Sequence, residues 1–256
     1  MQHTKNSLDS ARRSALLIWA AVAAASALVV STASAGAWYD DFERGGLADW
    51  IIYDFNRGAG SWDEKGGFVV GEINRAGSNS LLQLKPRRPA GVNTDDWSNY
   101  TVKVKMRLES KPRNNQNTSF GLALYDRHDL NRYHYILFEY QQAEIITYIR
   151  IGNSAGRNTV PFNVEQGVWY DLTASIETFE DTERVTFQVN DHRLMGTHWN
   201  GQVNSGGVAL VVSDGRVSFD DFVVEGDSIP DGGNGLPRSV SPAGLSTQLW
   251  AEIKRR

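Results

Sequence analysis

From Trp38 onward, apolar and polar residues alternate in short runs separated by clusters of Gly, Asn, Asp and Pro. The clearest run is Tyr100 to Leu108, where Tyr100, Val102, Val104, Met106 and Leu108 share one face and Thr101, Lys103, Lys105 and Arg107 the other. A period of two over that length predicts a half-buried antiparallel strand. Similar runs lie at Phe68–Glu72, Leu81–Leu84, Ser119–Tyr125, Tyr133–Tyr140, Glu144–Ile151, Trp169–Ile176, Arg184–Val189, Gly207–Val212 and Val217–Glu225. Lys65-Gly66-Gly67, Asn190-Asp191 and Asp214-Gly215 supply turn chemistry between them. No helical period of useful length occurs between Trp38 and Glu225. A parallel α/β sheet needs helices between its strands, so the pattern predicts an all-β sandwich of two antiparallel sheets.

The two ends read differently. Arg12 and Arg13 precede an apolar run from Ala15 to Val30, which exits through Ala33-Ser34-Ala35. A basic start, an apolar centre and a small-x-small exit predict a cleaved export signal over residues 1–35. The alternative is a retained membrane anchor, since the run is nearly long enough to span. After Gly226, Ser228 to Gly244 is rich in Pro, Gly and Ser and reads as a linker. Leu245, Leu249, Trp250 and Ile253 then recur at helical spacing and predict a short amphipathic helix. That helix either docks on its own domain or meets a protein partner or membrane surface. The expected organisation is therefore a signal peptide over 1–35, a β-sandwich over 36–226, and a linker with a short helix over 227–256.

Charge and composition narrow the function. The formal net charge of −4 argues against a nucleic-acid partner. Loss of Lys5, Arg12, Arg13 and Asp9 with the signal would make the balance more acidic. The chain has no cysteine, which removes disulfides, thiolate metal sites and thiol nucleophiles. Export without disulfides points to a periplasmic or secreted protein with no membrane span once the signal is cut.

Several short motifs recur in a fixed order. Trp38-Tyr39-Asp40-Asp41-Phe42 mirrors Phe219-Asp220-Asp221-Phe222-Val223-Val224. Between them stand Trp97-Ser98-Asn99-Tyr100-Thr101-Val102, Ser119-Phe120-Gly121-Leu122, Asp129-Leu130-Asn131-Arg132-Tyr133, Trp169-Tyr170-Asp171-Leu172, Val189-Asn190-Asp191 and Gly206-Gly207-Val208-Ala209-Leu210. This order resembles the concanavalin A-like lectin/glucanase superfamily, and within it the laminin-G-like modules and the bacterial 3-keto-disaccharide hydrolase domains. The resemblance covers nearly all of residues 37–226. It implies a jelly-roll sandwich with a carbohydrate-facing concave sheet, and pairing of the first and last strands. Trp97, Tyr100, Phe120 and Trp169 are expected to fill the gap between the sheets.

Alternation from Phe42, Phe222 and Val224 places Asp40 and Asp220 on the inward side. With the end strands paired, Asp40, Asp41, Asp220 and Asp221 would converge at one rim. Like charges held close call for protonation, water or a cation, so a structural Ca²⁺ is the expected cofactor. The alternative is that these aspartates accept backbone N–H bonds in turns.

The richest polar-aromatic stretch runs from Tyr125 to Tyr135. On its second strand, Tyr133, Tyr135, Leu137 and Glu139 share a face, and His134, Ile136, Phe138 and Tyr140 the other, more apolar one. The expectation is that Tyr125, Arg127, Tyr133, Tyr135, Glu139 and Arg150 line an exposed concave surface that takes a polysaccharide or oligosaccharide. The alternative is ordinary cross-strand pairing on a sheet face. His198-Trp199-Asn200, expected on a loop, is a lesser candidate.

Catalytic signatures are sparse. His128, His134, His192 and His198 make no helical metal pair, and no Gly-x-Ser-x-Gly or phosphate loop occurs. The Glu-x-Asp-x-x-Glu strand of the superfamily's hydrolases and the alginate-lyase pattern are both missing. The catalytic residues stay unassigned, with Glu139 beside Asp126 or His128 as the first acid/base candidates. The leading reading is an exported carbohydrate-binding domain. A glycan-cleaving enzyme on the same fold and a structural adhesion module are the alternatives.

Overall fold

The computed structural model describes residues 35–54, 60–73, 82–86, 94–110, 117–127, 132–151, 154–180, 182–190, 192–200 and 203–234. All but the last residue of the expected 1–35 signal, the terminal helix and His128 lie outside these described residues. The strands are β1 (Gly36–Asp40), β2 (Trp50–Asp54), β3 (Gly60–Glu64), β4 (Val69–Ile73) and β5 (Leu82–Pro86). A single 3₁₀ turn at Thr94–Asp96 precedes β6 (Tyr100–Ser110), β7 (Ser119–Asp126), β8 (Arg132–Glu139), β9 (Glu144–Ile151) and β10 (Ser154–Pro161). Then come β11 (Trp169–Phe179), β12 (Thr182–Val189), β13 (His192–Asn200), β14 (Gly207–Ser213) and β15 (Gly215–Gly226).

They form two antiparallel sheets. Sheet A runs β13-β12-β11-β6-β15-β4-β3, and sheet B runs β10-β9-β8-β7-β14-β5-β2. The long β15 lies against β6 on one side. On the other it pairs β4 through Gly215–Phe219 and β1 through Phe222–Gly226. The first and last strands do pair, with Asp40 opposite Phe222. Asp214 alone links the middle of sheet B to the middle of sheet A, with Asp214 and Gly215 both at positive φ.

The alternation read along Tyr100–Leu108 holds: all five apolar residues are buried and face across to Phe120, Leu122, Leu124, Ile136 and Phe138. One end of the core is aromatic. Trp38 meets Trp50 edge-on at 5.0 Å, and Phe222 meets Trp50 at 5.1 Å. Trp97, Tyr100 and Phe120 are core residues as expected. Trp169 is not; it is half-buried on the outer side of sheet A, opposite Arg107, whose guanidinium lies 4.4 Å from its ring centre.

Four strands were not anticipated: β2, β3, β10 and β13, the last of which contains His198-Trp199-Asn200. They stand at the four ends of the two strand orders. An edge strand pairs on one side only and tolerates Gly, Asn, Arg and Pro, as β10 shows with its sequence SAGRNTVP.

Two bulges overturn the simple alternation. At Tyr125 (φ +51) the β7–β14 register slips by one residue, so Leu124 and Tyr125 both turn to the core. At Asp221 (φ +48) the β15–β6 register slips between Asp220 and Val223. Each extra residue reverses the parity of what precedes it.

Candidate functional site

Sheet B has an outer face of unusual character. Ala123, Tyr133, Tyr135, Leu137, Ile146, Ala209 and Val211 form a second buried cluster, separate from the core, with Tyr148 packed against it. Tyr133 and Tyr135 therefore do share the outer face, with His134, Ile136 and Phe138 turned inward. They are not open, however: each is only 7% exposed, and their rings stack at 4.0 Å. The expected open hollow is filled at its centre by its own tyrosines.

The floor and walls follow from residue size. Ala209 on β14 pairs Ala123 on β7, which pairs Tyr135 on β8. Small residues on the two middle strands let the tyrosine lean across them. The Gln83 amide on β5 donates to the Tyr135 hydroxyl at 3.1 Å, closing a bridge over both alanine strands. Beside it, Lys85 Nζ donates to the Asp126 carbonyl at 2.7 Å and lies 3.3 Å from Asp95 and 3.8 Å from the Asp126 carboxylate. Gly207 makes room for this lysine, since a Cβ there would sit 2.3 Å from Lys85 Cε.

The remaining expected site residues separate. Tyr125 is a core residue: its hydroxyl accepts the Asn99 N–H at 3.2 Å and meets Thr178 of sheet A at 3.0 Å. Its own N–H donates to the Tyr100 hydroxyl, which donates onward to the Gly207 carbonyl, so Tyr100 fills the bulge. Arg127 binds the 203–205 segment, donating to the Ser205 carbonyl at 2.8 Å, rather than joining the tyrosines. Arg150 lies in β9 opposite Tyr133, and its side chain falls outside the described residues. Glu139 lies at the far end of β8 from the Asp126 end of β7, so these two do not pair. Its cross-strand partner is Glu144. Burial raises the Glu139 carboxyl above its usual range, against a Ser119 hydrogen bond, while Arg157 pairs Glu144.

The four aspartates do not share one site: Asp41, Asp220 and Asp221 lie near Tyr39, and Asp40 turns away from them into the core. Asp40 is inward and buried, accepting the Phe42 N–H at 2.8 Å and the Trp50 indole N–H at 2.7 Å. Asp41 accepts the Glu43 N–H. The Asp221 bulge puts Asp220 opposite Lys105 on the outer side of sheet A, where Asp221 pairs Lys105 at 2.6 Å and receives the Tyr39 hydroxyl. Among the described residues, no group of three or more His, Asp or Glu is arranged to hold a metal ion.

Sequence reasoning did not anticipate the inter-sheet clasp. His134 Nε2 lies 2.5 Å from the Glu183 carboxylate, which also accepts the Val203 and Asn204 N–H groups at 2.9 and 3.0 Å. Burial opposes ionisation of Glu183, but His134 and those amides hold its carboxyl below the ordinary range. The signal was present: Glu183 stands on the apolar side of an otherwise regular run ending in Val185, Phe187 and Val189.

No protein-family model matches the sequence, and no curated protein does. Among solved structures the chain is similar to the carbohydrate-binding module CBM66 from Bacillus subtilis, with 14% identity over 69% of this chain and 95% of that one and a TM-score of 0.52. It is similar to the CBM2 module of the Lactobacillus casei BL23 phage J-1 evolved Dit, with 11% identity over 75% and 96% and a TM-score of 0.50. It is also similar to a bifunctional GH43-CE protein of Bacteroides eggerthii, at 16% identity and a TM-score of 0.50, covering 73% of this chain but 27% of that one. These likenesses show the fold alone: a jelly-roll sandwich of antiparallel sheets.

Proposed function

We propose that the protein is an exported glycan-binding sandwich that holds a saccharide on the outer face of sheet B. The observation that carries this reading is the second cluster on that face, where tyrosines take positions that a solvated sheet gives to charged or polar side chains. Tyrosine rings stack on the C–H faces of sugars, and their hydroxyls meet sugar hydroxyls. Tyr148 is half-buried and Arg157 exposed at the β9–β10 margin, which gives a ligand its approach. Two of the similar structures are named as binding modules, in keeping with this reading. Among the described residues no helix is long and apolar enough to cross a membrane.

Affinity electrophoresis of the purified protein against a polysaccharide panel tests it. Retardation by at least one polysaccharide, weakened at least fivefold by Tyr148→Ala, is expected. No retardation by any of them rejects it. Cell fractionation and N-terminal sequencing test the export arm, with Gly36 as the expected first residue.

The Glu139–Glu144 pair favours a second reading, a glycan-cleaving enzyme of the kind the 3-keto-disaccharide hydrolase resemblance implies. Cross-strand partners bring their Cβ atoms within about 5 Å, close to the carboxyl spacing of about 5–5.5 Å in retaining glycosidases. A buried Glu139, its carboxyl raised above the usual range, beside an arginine-paired Glu144 supplies the unequal pair of carboxyls that an acid and a nucleophile need. New reducing ends that disappear in Glu139→Gln are expected under this reading, and binding without product rejects it.

A further inference from the structure

We propose that Gln83 is the hydroxyl-recognition point of the sheet B face, and that the ligand is an uncharged polyhydroxylated sugar rather than a uronate. This rests on the glycan reading above. Gln83 is wholly buried, and its amide nitrogen is engaged by Tyr135, but among the described residues its carbonyl oxygen has no partner. Turning the amide over does not remove the mismatch. It would then accept from the Tyr135 hydroxyl and leave its NH₂ unmatched. Either way one polar end of a buried side chain is unmatched, an arrangement that folded proteins rarely keep without a use.

The surroundings define what fits. From β5 to β8 is three strand spacings, about 14 Å, and the strands between carry Ala123, Ala209 and Val211 on this face. The result is a floor of wholly buried small side chains between Gln83 and the stacked Tyr133 and Tyr135. Tyr135 spans that floor to reach Gln83, so an incoming hydroxyl replaces the tyrosine hydroxyl on the amide as the ring swings aside. A hydroxyl both donates and accepts, and so satisfies Gln83 in either orientation; a carboxylate only accepts.

The neighbouring cation does not rescue an anionic ligand. Lys85 is already committed to the Asp126 carbonyl and to the carboxylates of Asp126 and Asp95. The strained Tyr125 bulge is what sets Asp126 opposite Gly207, next to that lysine. A uronate arriving here meets two carboxylates and a lysine whose charge they already balance.

The test compares neutral polymers (laminarin, xylan, galactomannan) with acidic ones (alginate, polygalacturonate) by affinity electrophoresis and calorimetry, with Tm measured for every variant. Retention by a neutral polymer is expected. Gln83→Leu should weaken it at least tenfold with Tm unchanged or raised, because an unmatched buried amide has been replaced by an apolar isostere. Tyr135→Phe, which keeps the ring but removes the hydroxyl competing for the amide, should bind more tightly than the wild type, and equal or weaker binding counts against the exchange. Wild-type affinity in Gln83→Leu overturns the proposal and leaves the glycan reading standing. So does a large fall in Tm with binding intact, which would mark Gln83 as the partner of an internal water. Retention by the acidic polymers alone overturns the ligand class. Retention by none removes both this proposal and the reading beneath it.

Discussion

The outer faces of the two sheets obey opposite rules. On sheet A, the outward residues of β6 after Thr101 are charged and paired: Lys103 with Glu225, Lys105 with Asp221, Arg107 with Glu109. On sheet B, the equivalent positions are Ala123, Tyr133, Tyr135, Leu137, Ala209 and Val211, with a buried glutamine and a buried lysine beside them. Both faces sit on regular ladders of the same fold, so backbone geometry does not explain the contrast. A sandwich needs only its inner faces to be apolar; an apolar tier on an outer face is surplus to folding, and the proposed glycan reading rests on that surplus.

The largest expected effect probes what holds the two sheets together beneath those faces. Glu183→Ala strips His134 and two backbone amides of their shared acceptor and should cost about 3–5 kcal/mol, measured by urea unfolding. The Glu183 contribution is present above the usual carboxylate range and is lost as pH falls through its lowered folded value, so the penalty should shrink in acid. A smaller loss, about 3 kcal/mol, is expected for Tyr135→Ala, which empties part of the sheet B cluster. Lys103→Ala on sheet A should cost less than about 1 kcal/mol, since half-exposed ion pairs contribute little. Equal losses for Tyr135→Ala and Lys103→Ala would abolish the distinction between the faces.

Asp220 sharpens the comparison through pH. Burial, then the charge of Asp221, pushes its carboxyl up to about 7. A carboxyl raised in the folded state contributes stability at low pH that is lost as pH rises through that value. Asp220→Asn should therefore raise Tm at pH 8, with the gain fading towards pH 4; a gain independent of pH would contradict the assignment. The smallest effect concerns metal. Asp40 is occupied by Trp50 and Phe42, and Asp221 by Lys105, so EDTA should leave Tm unchanged. A fall of several degrees would restore a Ca²⁺ site to the aspartates.

How much of this was legible in the sequence follows the position of each strand. Interior strands announce themselves by alternation, as in β6, or by an unbroken apolar run, as in β14, because neighbours on both sides constrain them. β2, β3, β10 and β13 lie at edges, where one side of the backbone is unconstrained, and the pattern fades. The site was half legible. Parity along β8 placed Tyr133 and Tyr135 on the outer face, but parity cannot count an inserted residue. Tyr125 and Asp220 were consequently assigned to the wrong sides of their sheets. Nor does one strand's pattern reveal its cross-sheet company: Gln83 gains its meaning from alanines on β7 and β14, and Glu183 from a histidine on the opposite sheet.

The single-residue corner at Asp214 has a consequence for when the domain can assemble. β14 and β15 are the interior strands of both sheets, yet they are the last to leave the ribosome. Without them sheet B is reduced to β10-β9-β8-β7 and a separate β5-β2 pair, and sheet A to β13-β12-β11-β6 and a separate β4-β3 pair. Until Gly226 has emerged neither sheet is continuous, so the sandwich cannot close before its final strand is made.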